Sequence, residues 1–489
     1  MADAATQRKP ARGDLTQGPI AKTLLAFALP TLASSILQSL NGTINAIWVG
    51  RFLGEGALAA TSNANMVMFL LTAFVFGFGM AATILVGQAW GRKDVDQARR
   101  VFGTAGGSFL LVTIVIAIAG YYLSPAILHL LGTPGPAEPL ALAYLRVIFL
   151  AMPALLLLTL AMMALRGAGD SLTPLLFMIV AVVLDSGLNP VFILGLGPAP
   201  KLGIAGSATA TLIANYTAMV GLIGYIYLKD LPLRLRGSEL RYLWCDVAIL
   251  KTIIVKGFPM GLQMVIISLS ALALIGLVNK EGVDTTAAFG VALQLWTYVQ
   301  MPAMALGAAV SAMAAQNIGA GLWDRVGRIT KIGIVQTVII TAVMIAALTL
   351  ADRAVLALFM GGDSPALPIA RHIHVVATWN FLLFGVMMVL FGTVRANGAV
   401  WIPLVVLAIG MVPVRFGYIF AAYPWLHADA IWTSFPVTSA INLALAIGFY
   451  VHGGWKKARM TVEERPCEEE TTEEALATRE PGGALNPAG

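Results

Sequence analysis

Apolar runs too long for a water-exposed surface set the first limit on this chain. FLLTAFVFGFGMAATILVG (69 to 87) and FLLVTIVIAIAGYYL (109 to 123) carry no charge, and about 20 such residues cross the hydrocarbon layer as a helix. Runs of this kind recur through the 489 residues, of which 58% are hydrophobic and 11% charged. A soluble domain carries about 25% charged residues. No single water-soluble core could bury so much apolar surface, so the chain is an all-α polytopic membrane protein.

Twelve spans are expected, at 23–49, 63–88, 101–124, 138–164, 173–195, 204–228, 253–279, 286–315, 329–350, 372–394, 400–423 and 430–453. Lys and Arg then sort by side. One side collects Arg92, Lys93, Arg99, Arg100, Arg166, Arg234, Arg236, Arg325, Arg328 and Arg395 with others, and the opposite side holds only Arg51, Lys201, Lys280, Arg353 and Arg371. By the positive-inside rule both termini are cytoplasmic, and an even number of spans agrees with their sharing a side. The expected divisions are a cytoplasmic N-terminal segment (1–22), a first lobe (23–228), a cytoplasmic connector (229–252), a second lobe (253–453) and an acidic tail (454–489).

The ends carry less. MADAATQRKPARGDLTQGP is polar and basic, without the apolar h-region of a cleaved signal peptide. Cys245 and Cys467 lie far apart in polar segments and suggest neither a disulfide nor a metal cluster. From Thr461 onward eight Glu face Arg465 and Arg479, the composition of a disordered tail. The remaining body is strongly basic, which suits loops facing anionic lipid and not a nucleic-acid partner.

The halves look like copies. Pro30 and Pro259 are 229 residues apart, and GQAWGRKDVDQARR (87 to 100) recurs as AQNIGAGLWDRVGR (315 to 328). There Gln88, Gly91, Asp96 and Arg100 match Gln316, Gly319, Asp324 and Arg328 at a separation of 228. RGAGDSLTP (166 to 174) recurs as RANGAVWIP (395 to 403), pairing Arg166, Gly169 and Pro174 with Arg395, Gly398 and Pro403 at 229. Six spans per copy make both copies face the same way, as in transporters built from parallel repeats about an axis along the membrane normal.

AVVLDSGLNPVFI (181 to 193) raises a chemical question. Asp185 is eleven residues from Pro174, hence roughly 16 Å into the bilayer at a rise of about 1.5 Å per residue. Asn189 stands one turn later on the same face, and Pro190 removes a backbone donor and frees a carbonyl near residue 186. A carboxylate, an amide oxygen and a freed carbonyl suit a hard cation or a proton. Alternatively, Asp185 ties neighbouring helices together. An intramembrane acid is a functional candidate by default, so Asp185 and Asn189 are the expected cation-coupling pair. Gln38, Asn41 and Asn45 share one face of the first span, and Asn215 of the sixth could approach the same cavity; lining a cavity and packing helices are both open to them. Gln263, Gln294, Trp379 and Asn380 are weaker cavity candidates in the second lobe. Arg415 sits beside the repeat counterpart of Asp185 with no mid-membrane acid in its half; bonding to helix carbonyls is preferred over contact with an anionic group.

LAFALPTLASSILQSLNGTINAIWVGRFLGEGALAA (25 to 60), GQAWGRKD, MALRGAGDSLTP, NPVFILGLGPAPKLGIAGSATAT (189 to 211) and YVQMPAMALGAAVSAMAAQNIGAG (298 to 321) resemble multidrug and toxic compound extrusion (MATE) transporters. The likeness spans about residues 18 to 455. It implies twelve helices in two six-helix lobes and export of amphipathic, mostly cationic small molecules by exchange for Na⁺ or H⁺. It also implies a multi-pass bacterial inner-membrane protein, monomeric, without a cofactor. Many members carry Asp where this chain has Asn45, and some carry it at the position of Asn189; others place acids in the seventh and tenth spans, where only Gln263 and Asn380 stand. The family's usual cation sites therefore do not carry over whole. A lipid-linked saccharide flippase is the alternative of related fold, but a pyrophosphate cargo calls for several deep Arg or Lys, and only Arg415 is deep. An enzyme is disfavoured: there is no HExxH, no paired mid-membrane Asp, and His129, His372, His374, His427 and His452 fall near span ends.

Overall fold

The computed structural model describes residues 13–130, 138–197, 199–244, 246–361 and 364–460. The acidic stretch from 461 onward, Cys245 and Cys467 lie outside them. The first half runs through α1 (Ile20–Leu53), α2 (Glu55–Gly91), α3 (Val95–Leu130), α4 (Glu138–Gly167), α5 (Leu172–Leu194) and α6 (Ile204–Leu228). The second runs through α7 (Val247–Val278), α8 (Val283–Gly319), α9 (Trp323–Leu350), α10 (Asp352–Met360), α11 (Ala366–Ala377), α12 (Asn380–Ala396), α13 (Trp401–Ile409), α14 (Arg415–Leu426) and α15 (Asp429–His452). Local chemistry sets several ends. Asp246 caps α7 by accepting from the backbone of Ala248 and Ile249 at 3.1 Å each, and α5 stops at Gly195 with φ 72°.

Among the described residues eleven helices are long and apolar enough to cross a membrane, and the bent pair α11–α12, taken as one span, makes a twelfth. Two spans depart from the straight helices expected. The tenth bends by 44° between α11 and α12, and no proline lies there. Instead the Asn380 amide donates to the Ala377 carbonyl at 2.6 Å, and Thr378 Oγ1 lies 2.8 Å from His374 Nδ1 while accepting from the Trp296 indole at 2.9 Å. Side chains that bond nearby backbone compete with the helix ladder. His374 is thereby drawn into the interior at 3% exposure, not left at a span end. The eleventh span widens into a π-turn at Gly410–Val414, where Pro413 lacks an N–H. Ser270 of α7 donates to the Met411 carbonyl there at 2.9 Å.

The lobes pack in a repeated pattern. α4 packs on α2, α3 and α6 in the first lobe, as α12 packs on α8, α9 and α15 in the second. Between lobes α2 meets both α7 and α8, while α1 meets α8. Each lobe's first helix thus docks on the other lobe's second helix. The α2–α7 crossing is backbone on backbone: a Cβ on Gly77 would stand 2.4 Å from the Gly257 carbonyl and 2.3 Å from the Gly261 nitrogen. Small residues four apart permit such an approach in membranes.

The repeat is visible in backbone detail. Gly169 and Gly398 both take φ 85°, a left-handed geometry that strains any side chain. Asp94 N donates to Ala89 O at 3.0 Å and Leu322 N to Asn317 O at 2.8 Å, so the same turn ends α2 and α8. Leu110, Leu111, Ile114, Val115 and Ile118 of α3 stay exposed, as a lipid-facing stripe requires.

The segment 229–244 lies along α3. Arg99 reaches the Pro232 carbonyl at 3.1 Å and Glu239 at 2.9 Å, and Tyr242 donates to Asp96 at 2.9 Å.

Candidate functional site

Asp185 lies mid-helix in α5 at 2% exposure and draws in donors from three helices. Asn41 and Asn45 of α1 donate their amides to Oδ2 at 2.8 and 2.9 Å. Thr211 of α6 donates to Oδ1 at 3.1 Å, and Asn189 to Oδ1 at 3.2 Å. The Asn189 amide also reaches the Asp185 carbonyl at 2.9 Å and Asn45 Oδ1 at 2.8 Å. Among the described residues no Lys, Arg or His bonds this carboxylate.

The helical period produces this arrangement. Asn41 and Asn45 are four apart on α1, Asp185 and Asn189 four apart on α5, and the two rows interdigitate because α1 packs on α5. α5 continues unbroken through Pro190, whose missing donor falls in the turn that carries Asp185. Oδ1 of Asn41 and Oδ1 of Asn189 are enclosed without a partner. A carboxylate beside two unpartnered amide oxygens is a set of hard oxygen ligands. The four hydrogen bonds are neutral donors to an anion, each stronger than a neutral pair. They supply a solvation shell without cancelling the charge, which leaves the site able to take a cation.

A cavity of about 310 Å³ borders the cluster, lined by Asn45, Val49, Thr61, Tyr144 and Ser207 among others. Asn45 thus touches both the carboxylate and open space. Gln38 projects from the same α1 face and is exposed.

The remaining expected residues do not join this cluster. Asn215, buried on α6, turns its amide back to the Thr211 carbonyl at 2.8 Å, and the residue one turn earlier, Thr211, reaches Asp185 instead. That position was open to sequence reasoning, since Thr211 shares the Asn215 face. Asn380, 4% exposed, holds the bend of the tenth span and accepts from Ser439 at 3.0 Å. Gln263 is buried with an unpartnered Nε2. Gln294 and Trp379 are exposed. Arg415, expected on helix carbonyls, reaches none: its guanidinium lies over the Phe435 ring at 4.7 Å, because the π-turn sets Arg415 at the start of α14 facing α15.

The MatE family model matches the chain twice, over 30–191 and 259–420, in the 229-residue register of the internal repeat. The chain belongs to the MatE family. Membership makes it a membrane transporter and not an enzyme. A probable multidrug resistance protein of Bacillus subtilis (strain 168), YoeA, is 37% identical to this MatE chain over 442 residues, 90% of this chain and 95% of that one. The FAD transporter of Shewanella oneidensis MR-1 is 28% identical over 315 residues, 63% of this chain and 68% of that one. Among solved structures, a MATE crystallised with MaL6 superposes with a TM-score of 0.83 at 21% identity, over 92% of this chain and 98% of the other. At that identity the match speaks for the MatE fold alone.

Proposed function

We propose that this MatE protein is a secondary active exporter of amphipathic, cationic small molecules, driven by exchange for Na⁺ or H⁺ bound at Asp185. The observation that carries this is the uncompensated carboxylate held by Asn41, Asn45, Asn189 and Thr211 beside a cavity. A charge there costs several kcal/mol to bury, and its shell contains no cation of the protein's own. Na⁺ would take the carboxylate with amide oxygens; H⁺ would need the carboxylate alone. The names of relatives such as YoeA support a multidrug cargo.

The two lobes are pinned together at the end bearing Gln88, Gln316 and Arg325. Positive charge assigns that end to the cytoplasm, so the cavity at Asn45 opens outward and both termini lie inside. Binding at Asp185 then changes the charge of the cleft, and the alternation of pinned ends carries cargo across. For a cargo without net charge, one coupled ion at about 150 mV supports roughly a 300-fold gradient, at about 2.3 kcal/mol per 100 mV and 1.4 kcal/mol per tenfold. Exchange of a singly charged cationic cargo for one such ion moves no net charge and draws on the ion's own concentration gradient. The test is ethidium movement in proteoliposomes under an imposed Na⁺ or pH gradient. One of these gradients is expected to drive uphill movement, and failure of both would overturn the proposal.

A further inference from the structure

Arg415 is a buried cation of the second lobe that, among the described residues, makes no hydrogen bond to the cation site or to a packed helix. It is 6% exposed, and the Phe435 ring is its sole partner among the described residues. Its Nε is enclosed without an acceptor. A guanidinium stays charged in any protein and offers five donors in a planar fork. One aromatic face satisfies none of those donors directly. Among the described residues the acids of the second lobe are elsewhere: Glu281 accepts from Tyr423 at 2.6 Å, Asp352 pairs with Arg371 at 2.7 Å, and Asp429 meets His372 at 2.8 Å. Asp284 and Asp324 occupy the first turns of α8 and α9. None bonds Arg415.

The neighbourhood has a definite chemistry. Phe435 stacks edge-on against Trp296 at 4.8 Å, and Trp296 in turn lies 5.9 Å from Phe381. A fixed positive charge therefore stands at the edge of an aromatic shelf. Its position follows from the repeat: the 229-residue register pairs Asp185 with Val414, the immediate neighbour of Arg415. The lobes thus place opposite charges at corresponding depths.

We propose that Arg415 is an anion-docking residue, which takes a carboxylate or phosphate of the transported amphiphile beside the partly buried ring of Phe435. The inference rests on the exporter reading above and narrows it: the preferred cargo carries an anionic group beside any cationic one. Bidentate pairing with a planar anion matches the fork of the guanidinium. A desolvated site makes that pairing stronger than it would be in water.

Dansyl-glycine and its methyl ester differ only in the carboxylate and test this directly. Their fluorescence is titrated with the full chain in lipid nanodiscs, as wild type, Arg415→Lys and Arg415→Gln, each checked for monodispersity and helicity. Wild type is expected to bind the acid at least tenfold more tightly than the ester, the factor of one charge-assisted hydrogen bond. Arg415→Lys keeps part of that preference, and Arg415→Gln removes it. Equal affinity of wild type for acid and ester overturns the proposal with no variant needed, as does a preference that survives in Arg415→Gln. Ethidium moved uphill by a wild type without acid preference would sink this inference alone. Loss of all uphill movement would sink the exporter reading beneath it.

Discussion

Gln88 and Gln316 hold the lobes together by exchanging the same bond. Gln88 donates to the Ala396 carbonyl of the second lobe at 2.7 Å, and Gln316 to the Gly167 carbonyl of the first at 3.0 Å. Donors and acceptors are both related by the repeat. The backbones follow: a Cβ on Gly91 would stand 1.9 Å from Gln316 O, and one on Gly319 2.1 Å from Gln88 O. Gln316 also accepts from the Leu15 backbone at 2.9 Å, so the N-terminal segment is sewn into the same seam.

Removing either glutamine is expected to loosen this end. Gln88→Ala leaves a buried carbonyl unpaired, about 1–3 kcal/mol, which raises the open population at least fivefold. The probe is a cysteine at Ala315, buried across from Gly87, in a chain with Cys245 and Cys467 changed to Ser. Its maleimide labelling rate is expected to rise at least fivefold with Gln88→Ala, and further with Gln316→Ala. An unchanged rate in both would show that the seam does not hold the closed state.

The shell of Asp185 is expected to grade in importance. Thr211→Val removes one hydroxyl donor at nearly constant shape, about 1 kcal/mol. That donor stabilises the ion-free carboxylate, so its loss is expected to lower the half-saturating ion concentration by about fivefold. Asn189→Ala also removes an unpartnered oxygen, and where Na⁺ is the coupled ion that lost ligand raises the half-saturating concentration by about tenfold or more, with maximal rate retained. Initial efflux rates against ion concentration check both. A rise in the half-saturating concentration with Thr211→Val would contradict the assignment of Thr211 as a donor to the ion-free carboxylate.

Much of this site was legible before the fold. Asp185 and Asn189 stand out because a carboxylate inside an apolar run has few uses, and the i, i+4 spacing fixes their common face. Asn41 and Asn45 follow by the same rule. What the sequence did not show is which rows meet. Thr211 looks like an ordinary small residue of α6, and its approach to Oδ1 depends on the α5–α6 angle. Asn380 and Asn215 have the same composition signal as Asn41, yet they bond backbone of their own spans. The bend of the tenth span has no proline to mark it, and Arg415 found a ring on α15 that no local pattern announces.

Asp352, beyond the end of the ninth span, gives a pH expectation through its pair with Arg371. The Arg371 guanidinium, bonded at 2.7 Å, holds the Asp352 carboxyl below its ordinary value. A depressed folded-state value means stability present above the unfolded pKa and lost as pH falls through the folded one. The melting difference between wild type and Asp352→Asn is therefore expected to be constant from about pH 5 to 7 and to shrink below about pH 4. A difference that grows on acidification would contradict the pairing.

Orientation has its own check. Ser238 is exposed in the short helix Gly237–Leu243 after α6. A cysteine there, in the same Cys-free chain, is expected to resist an impermeant maleimide on intact cells and to react after permeabilisation. Labelling of intact cells would invert the assignment of both termini.

Asp185→Asn tests the central claim most directly, because it keeps the size of the side chain and one acceptor oxygen while deleting the charge. Ethidium transport is measured in proteoliposomes in two regimes, uphill under the driving ion gradient and downhill without one. Wild type is expected to perform both. Asp185→Asn should keep the downhill flux within about threefold and lose uphill accumulation, since the bound ion is what ties cargo movement to the gradient. If Asp185→Asn still concentrates ethidium to the wild-type level, Asp185 only ties α5 to α1 and α6, and coupling resides elsewhere.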